Sequence, residues 1–294
     1  MRGVDKQSVV IRSGEELVTK VEPLTLIKDK HPWMGLPFIR GVVNFIDSMA
    51  KGMKALTYSA SFLPEDEQEE PSKLDKWIEE KVGSEKAEKF IIAIAMVMGL
   101  ALAIGLFVFL PTLLVGLIPG LRTGHDGVRT LLEGVLKIVI LLAYMYGVSQ
   151  MKDIKRVFSY HGAEHKTIFC YEHRQELTVE NVRKESRFHP RCGTSFLLVV
   201  VLVSILVNAL VRVDNTFARV GWHLLLLPVV VGISYEINRW CGGHDNWLSA
   251  ILSAPGKWLQ HITTNEPDDG MIQCAIRALE LVIPDEKGSD RWGN

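Results

Sequence analysis

From Phe90 to Leu110 the chain runs for about 21 residues without a charged side chain. At a rise of about 1.5 Å per residue, a helix of that length crosses the roughly 30 Å hydrocarbon core of a bilayer. Hydrocarbon offers the backbone no hydrogen-bond partners, so an uninterrupted run of this length points to a helix that satisfies its own peptide groups. Pro111 is expected to end it, with Thr112 to Ile118 as an extension or an external turn. Three further apolar runs follow, Leu131 to Val148, Phe196 to Val211 and Val220 to Tyr235. The first carries Glu133 and Lys137, which are four residues apart and can pair. The others contain no ionisable pair, which argues against a transport pathway, and His223 falls near the outer end of the last run as an interfacial group. A mean hydropathy of +0.16 fits a chain whose apolar residues are gathered in blocks.

The fold class expected is mainly α, a polytopic helical membrane protein with about four transmembrane helices, an amphipathic N-terminal helix and short N-terminal β structure. Residues 1–35 read as a β or extended segment, because Val9-Val10-Ile11 and Leu17-Val18 alternate loosely with polar neighbours. In 36–60, Phe38, Ile39, Val42, Val43, Ile46, Met49, Met53 and Leu56 recur at helical spacing, with Arg40, Asp47, Lys51 and Lys54 between them, so this helix suits the membrane interface or the flank of a bundle. Residues 61–89 form a charged cytosolic linker or helix with an acidic run at 65–70. Residues 90–240 hold the spans, and 241–294 form a cytosolic helical segment in which Asp268 or Asp269 caps an amphipathic helix.

Orientation follows from basic residues. The connection 150–195 holds Lys152, Lys155, Arg156, Lys166, Arg174, Arg183, Lys184, Arg187 and Arg191. The opposite side offers only Arg122, Arg129, Arg212 and Arg219. This places the long loop and both termini in the cytoplasm, in a multi-pass protein of the cell membrane whose first partner is the lipid bilayer. A net charge of −1 and the lack of a basic stripe with aromatics exclude a nucleic-acid reading. The first 30 residues contain no apolar core of signal-peptide length. The four cysteines, Cys170, Cys192, Cys241 and Cys274, have no disulfide-framework spacing and read as reduced thiols.

The chemistry concentrates in that cytosolic loop. His161-Gly162-Ala163-Glu164-His165 has the H-x-x-E-H form, and on a helix positions 161, 164 and 165 share one face. His189-Pro190-Arg191-Cys192-Gly193 adds a third imidazole and a thiol just before an apolar run. Topology also brings Glu236, Arg239 and His244 to this surface. Glu236 and Arg239 either form an interfacial ion pair or close the polar site from the membrane side.

Three readings stay open. In the first, His161 and His165 with His189 or Cys192 hold Zn²⁺ or another divalent metal, and an open position takes water. Glu164 accepts its proton, Lys166 or Arg191 stabilises a developing oxyanion, and the substrate is a lipid headgroup, a lipid-linked molecule or a segment of a membrane protein. Gly162 sits awkwardly here, since glycine lowers helix propensity by about 1 kcal/mol relative to alanine. In the second, His161, His165, His189 and Cys192 form a closed four-ligand structural site in a scaffold or assembly factor, and Glu164 only orients a ligand. In the third there is no metal, and the histidines are satisfied polar groups of an interfacial loop.

Tyr160-His161-Gly162-Ala163-Glu164-His165-Lys166-Thr167, His189-Pro190-Arg191-Cys192-Gly193-Thr194-Ser195-Phe196 and Thr263-Thr264-Asn265-Glu266-Pro267-Asp268-Asp269 resemble motifs of the YqhQ-like family of bacterial membrane proteins (DUF1385). Leu36-Pro37-Phe38-Ile39-Arg40-Gly41, Gly52-Met53-Lys54-Ala55-Leu56 and Leu252-Ser253-Ala254-Pro255-Gly256 are similar to it too. The resemblance covers nearly the whole chain. It implies a bacterial membrane protein of unknown function, labelled a metal-dependent enzyme, and a glycine-containing segment upstream of Met1-Arg2-Gly3.

Overall fold

A computed structural model describes residues 1–14, 16–25, 27, 31–62, 84–119, 126–190, 192–244 and 246–284. The acidic run at 65–70 and the expected oxyanion stabiliser Arg191 lie outside the described residues.

The fold is mainly helical with one small sheet. The alternating N-terminal segment forms an antiparallel hairpin, β1 (Lys6–Ser13) and β2 (Glu16–Pro23), whose chain reversal uses Gly14 at φ +61°. Helix α1 (Ile39–Ala60) follows, and lies against the last span rather than crossing alone. It approaches closely because glycine lies on both sides: a Cβ on Gly41 would come 2.6 Å from that of Tyr235, and one on Gly232 would come 2.7 Å from the Phe38 carbonyl. Ile46, Met49 and Leu56 stay exposed on its other face.

Among the described residues, three helical segments are long and apolar enough to cross a membrane: Phe90–Gly116, Gly127–Ser149 and Thr216–Gly243. The first joins α2 (Ser84–Ile104) to α3 (Leu110–Gly116) through one π-helical turn, Gly105–Phe109. Pro111 therefore does not end the span. It enters at the start of α3, and the wider turn, with the Leu110 N–H reaching the Gly105 carbonyl, absorbs the ring and the missing donor. The other two are α4 (Asp126–Ser149) and α8 (Thr216–Gly243). The third expected span, Phe196 to Val211, differs. It is α7 (Gly193–Asn208), 16 residues long, or about 24 Å, which falls short of a hydrocarbon core. Cys192 caps its start, and the chain turns away at Ala209 and Leu210 before Asn215 caps α8.

The loop expected between spans is largely helical. It holds α5 (Lys152–Glu172), with Asp153 in its first turn where a carboxylate suits the helix dipole, and the short α6 (Val179–Lys184). The C-terminal region supplies α9 (Trp247–Thr263), which packs on α7, and α10 (Asp269–Glu280), which packs on α5 and β1. Asp268 is the cap of α10, accepting from the Met271 N–H at 2.8 Å. Ala163, Cys170, Val182, Ile272, Ala275 and Ile276 form the core of this unit, which ties both ends of the chain to α5. A second core, Leu141, Leu198 and Leu259, joins α4, α7 and α9.

Glu133, expected to pair with Lys137, instead takes Arg129 Nε at 3.2 Å and Arg219 Nε at 2.9 Å. His223 is not interfacial: it is 5% exposed, with Nε2 3.9 Å from Glu133. An ionic cluster thus sits where the apolar helices begin, with Glu133 drawn to arginines expected in the connections instead of to Lys137.

Candidate metal centre

Helix α5 presents one polar stripe. His161, Glu164, His165, Ile168 and Glu172 recur at the spacing of a single helical face, and all of them line a cavity of about 310 Å³ closed by His189, Cys192 and Gly193. Donor atoms of His161, His165 and Cys192 all lie within 4.8 Å of one another. The two imidazole rings meet nearly edge to face, 4.3 Å between centroids.

Backbone carbonyls set the ring orientations. His161 Nδ1 lies 2.9 Å from the Thr263 carbonyl and His165 Nδ1 lies 2.6 Å from that of Arg187. A carbonyl only accepts, so each Nδ1 carries the hydrogen and each Nε2 is left to face the centre. This is the arrangement that fixes the tautomer of metal-binding histidines. His161 Nε2 is 3.2 Å from Cys192 Sγ. The Thr194 N–H, in the first turn of α7, points at the same sulfur at 3.4 Å. Burial disfavours the Cys192 thiolate, but without a metal the His161 and His165 rings, donating through Nε2 when doubly protonated, outweigh it and bring the thiol down to about 5. Burial likewise opposes the charged form of His161, yet the contact with Cys192 raises its pKa.

Gly162 now has a structural reason. The segment from Thr263 to Asp268 crosses α5 at this position, and a Cβ there would sit 2.1 Å from the Asn265 carbonyl. The crossing is held by the Asn265 N–H on the Phe158 carbonyl at 2.9 Å and by Asn265 Nδ2 on that of Lys155 at 3.2 Å. The stretch Thr263–Glu266 therefore positions His161, which its role as a helix-to-helix connection in the sequence did not suggest.

The remaining expected site residues separate. His189 lines the cavity but lies outside the three-donor group. Its Nε2 is 3.2 Å from Glu172 Oε2, and its backbone is clamped by Gln260 on both sides, N–H to Oε1 and Nε2 to carbonyl, each 2.8 Å. Glu164 is exposed at the cavity wall. Lys166 is buried on another face, bonded to the Arg183 and Glu185 carbonyls at 3.1 and 2.9 Å and paired with Glu266 at 2.9 Å. It is placed to hold α5 to α6, not to meet an oxyanion. Glu236 is drawn away by Arg40, whose Nε is 2.7 Å from Oε1, and by the Phe38 N–H at 3.1 Å. His244 stacks on Trp240, and Arg239 is exposed; none of these three lines the cavity. Glu172 was missed, although it follows His165 by seven residues and so continues the same stripe once α5 is read as reaching residue 172. A larger cavity of about 690 Å³ beside Arg12, Arg156, Tyr160, Asp268 and Asp269 gathers no metal-type ligand group among the described residues.

Two neutral imidazoles and a thiolate suit Zn²⁺ among divalent metals. Among known proteins, the family described as "Protein of unknown function (DUF1385)" matches residues 36–285. The uncharacterised protein YqhQ of Bacillus subtilis (strain 168) is 36% identical over 254 residues, which is 84% of this chain and 77% of that one. No solved structure matches.

Proposed function

The chain belongs to the DUF1385 family, and we propose that this member is an integral membrane protein that binds one divalent ion, zinc by its donor set, and catalyses a hydrolysis at the cytosolic membrane surface. The observation that carries the reading is the convergence of His161, His165 and Cys192 donors within 4.8 Å, with both imidazoles tied back to carbonyls. Three protein ligands are the catalytic pattern, whereas structural zinc takes four. When bound, the ion supplies Lewis-acid activation of water. Glu164, on the wall of the same cavity, is the proton acceptor. The amide end of α7 opens at Gly193 and favours developing negative charge there. The His189–Glu172 pair holds a proton at His189 Nε2, within the cavity, for a leaving group. The long apolar helices beside this unit favour a substrate that is itself at the membrane, such as a lipid headgroup, a lipid-linked molecule or a membrane-protein segment.

A scaffold with a closed structural metal needs His189 as fourth ligand, and its engagement with Glu172 weighs against that. The Cys192–His161 contact supports a second reading, a metal-free thiolate nucleophile with its base oriented by the Thr263 carbonyl. Elemental mass spectrometry of detergent-purified protein decides among these. The proposal expects about one zinc per chain, lost in His161→Asn, His165→Asn and Cys192→Ser and kept in His189→Asn. Loss of zinc in His189→Asn would restore the closed site. A folded, metal-free wild type would leave the thiol reading.

A further inference from the structure

The buried ionic cluster lies at the end of the bundle opposite the metal centre, where three apolar segments converge. Arg129 and Thr130 lie in the first turns of α4, Arg219 in the first turn of α8, and Thr112 in α3. Arg129 and Arg219 are 0% exposed, Glu133 1%, His223 5% and Lys137 8%.

The charges do not balance. A guanidinium keeps its proton in a protein, so whatever state Lys137 adopts, two fixed positive charges face the one carboxylate that the described side chains of the cluster supply, Glu133. Among the described residues the cluster's other acceptors are neutral: Arg219 Nη1 reaches the Val211 carbonyl at 3.2 Å and Nη2 the Thr130 hydroxyl at 2.7 Å, and Arg129 Nη1 is 3.4 Å from the Asp214 carbonyl. An uncompensated ion buried away from water costs several kcal/mol. Among the described residues, six buried side-chain polar atoms have no hydrogen-bond partner, and four of them lie on the helices around this excess charge: Arg129 Nη2, both ring nitrogens of His223 and the Thr112 hydroxyl. The other two are Ser195 Oγ and Asn208 Oδ1.

We propose that this end of the bundle is a binding site for a phosphate group, with Arg129, His223 and Thr112 as its donors and the second positive charge of the Arg129–Glu133–Arg219 cluster as its counter-charge. A planar guanidinium, an imidazole and a hydroxyl are directional donors suited to a tetrahedral oxyanion. Placement at the ends of three apolar helices sets the site at the depth of phospholipid headgroups. The same chemistry would accept free inorganic phosphate.

Full-length protein, stripped of lipid in detergent, is titrated with inorganic phosphate by calorimetry and by thermal unfolding, and mildly extracted protein is weighed by native mass spectrometry. Wild type is expected to bind phosphate and to unfold at a higher temperature in its presence. Arg129→Gln and His223→Leu should each weaken binding by roughly tenfold or more, as loss of a charge-assisted or buried hydrogen bond does. The zinc content at the other end should be unchanged. His223→Leu, which leaves the Arg–Glu–Arg pairs in place, keeps the test open should Arg129→Gln not fold. Phospholipid retained by wild type and lost in either variant assigns the headgroup as the source, and phosphate binding without retained lipid assigns the free anion. The proposal is overturned if wild type neither binds phosphate nor retains such a lipid, or if both variants bind phosphate as wild type does.

Discussion

The two polar clusters of this molecule are built on opposite plans. In the candidate metal centre, neutral carbonyls orient two imidazoles, and the donors look into a cavity of about 310 Å³. In the ionic cluster, one carboxylate answers two guanidiniums directly, and the members are almost wholly buried. The first is a site that the fold holds: remove a ligand and the Thr263–Asp268 crossing still has its own hydrogen bonds to α5. The second holds the fold: Arg219 joins α8 both to α4, through Glu133 and Thr130, and to the loop carbonyl of Val211. Buried charge in a low-dielectric layer persists where it cross-links helices or meets a counter-charge, whereas donors aimed into a cavity are free to do chemistry.

The sharpest way to break this contrast is Arg219→Met. It removes the hydrogen bonds that Arg219 makes to Glu133, Thr130 and the Val211 carbonyl and leaves Arg129 alone on the carboxylate. A hydrogen bond to a charged group contributes about 1.5–3 kcal/mol, so losing these together costs more than about 3 kcal/mol. Reversible unfolding in detergent should show a loss of that order. A loss below about 1 kcal/mol, the range of exposed pairs, would mean that water reaches the cluster. Withdrawal of metal by a chelator should cost less. At a free zinc concentration 100 times the Kd, binding contributes about 2.7 kcal/mol, so the zinc-loaded and chelated proteins should differ by that much in stability at matched pH.

The pH dependence of the chelated protein sharpens the same point. The Cys192 thiol is depressed to about 5 in the fold, from about 8.5 in an unfolded chain. Its contribution is therefore complete above the unfolded value and is lost as pH falls towards 5. His161 is raised, so its contribution has the opposite sign: it is complete below the unfolded value and lost as pH rises through the folded one. Alkylation by iodoacetamide should accordingly label Cys192 at pH 6 in chelated protein. Cys170, which burial pushes up, should stay unlabelled, and zinc should protect Cys192. Equal labelling of the two thiols at pH 6 would contradict the thiolate geometry.

How much of this was legible follows from the range of the signals. The stripe His161, Glu164, His165 is local, since a helix puts residues three and four apart together, and its union with Cys192 was anticipated from topology. The hairpin, the amphipathic α1 and the Asp268 cap are likewise short-range patterns. What escaped was set by partners far along the chain. Glu236 goes to Arg40, 196 positions away, instead of to the metal centre. Glu133 goes to Arg219, 86 positions away, in preference to its helical neighbour Lys137. Gly162 looked like a weakness in the motif helix because Asn265, which occupies the space of its missing side chain, comes 103 residues later. Gly162→Ala tests that account. A gain of helix propensity of about 1 kcal/mol is set against an overlap at 2.1 Å with backbone that cannot swing aside, and overpacking of this kind costs about 1–3 kcal/mol. A net loss with weakened zinc binding is expected. A stabilised protein would show that the crossing segment yields.

The smallest effect belongs to the clamp between α1 and α8. Arg40 and Glu236 form a forked ion pair, and the Phe38 N–H bonds the same carboxylate. The two side chains are 26% and 21% exposed, more open to water than the ionic cluster or than His165 and Cys192. Water screens such a pair, so Arg40→Ala should cost about 1 kcal/mol, and the Phe38 N–H remains to hold the carboxylate. Glu236→Gln should cost about as much, because the amide oxygen still accepts from Phe38 and Arg40. Helix α1 should stay docked in both, since the glycine contacts at Gly41 and Gly232 do not involve these charges. Protease protection of the α1 segment reads this out directly. If Arg40→Ala exposes α1 to cleavage while Glu236→Gln does not, the guanidinium is a docking element in its own right. The clamp would then belong with the ionic cluster, as a cross-link the fold depends on.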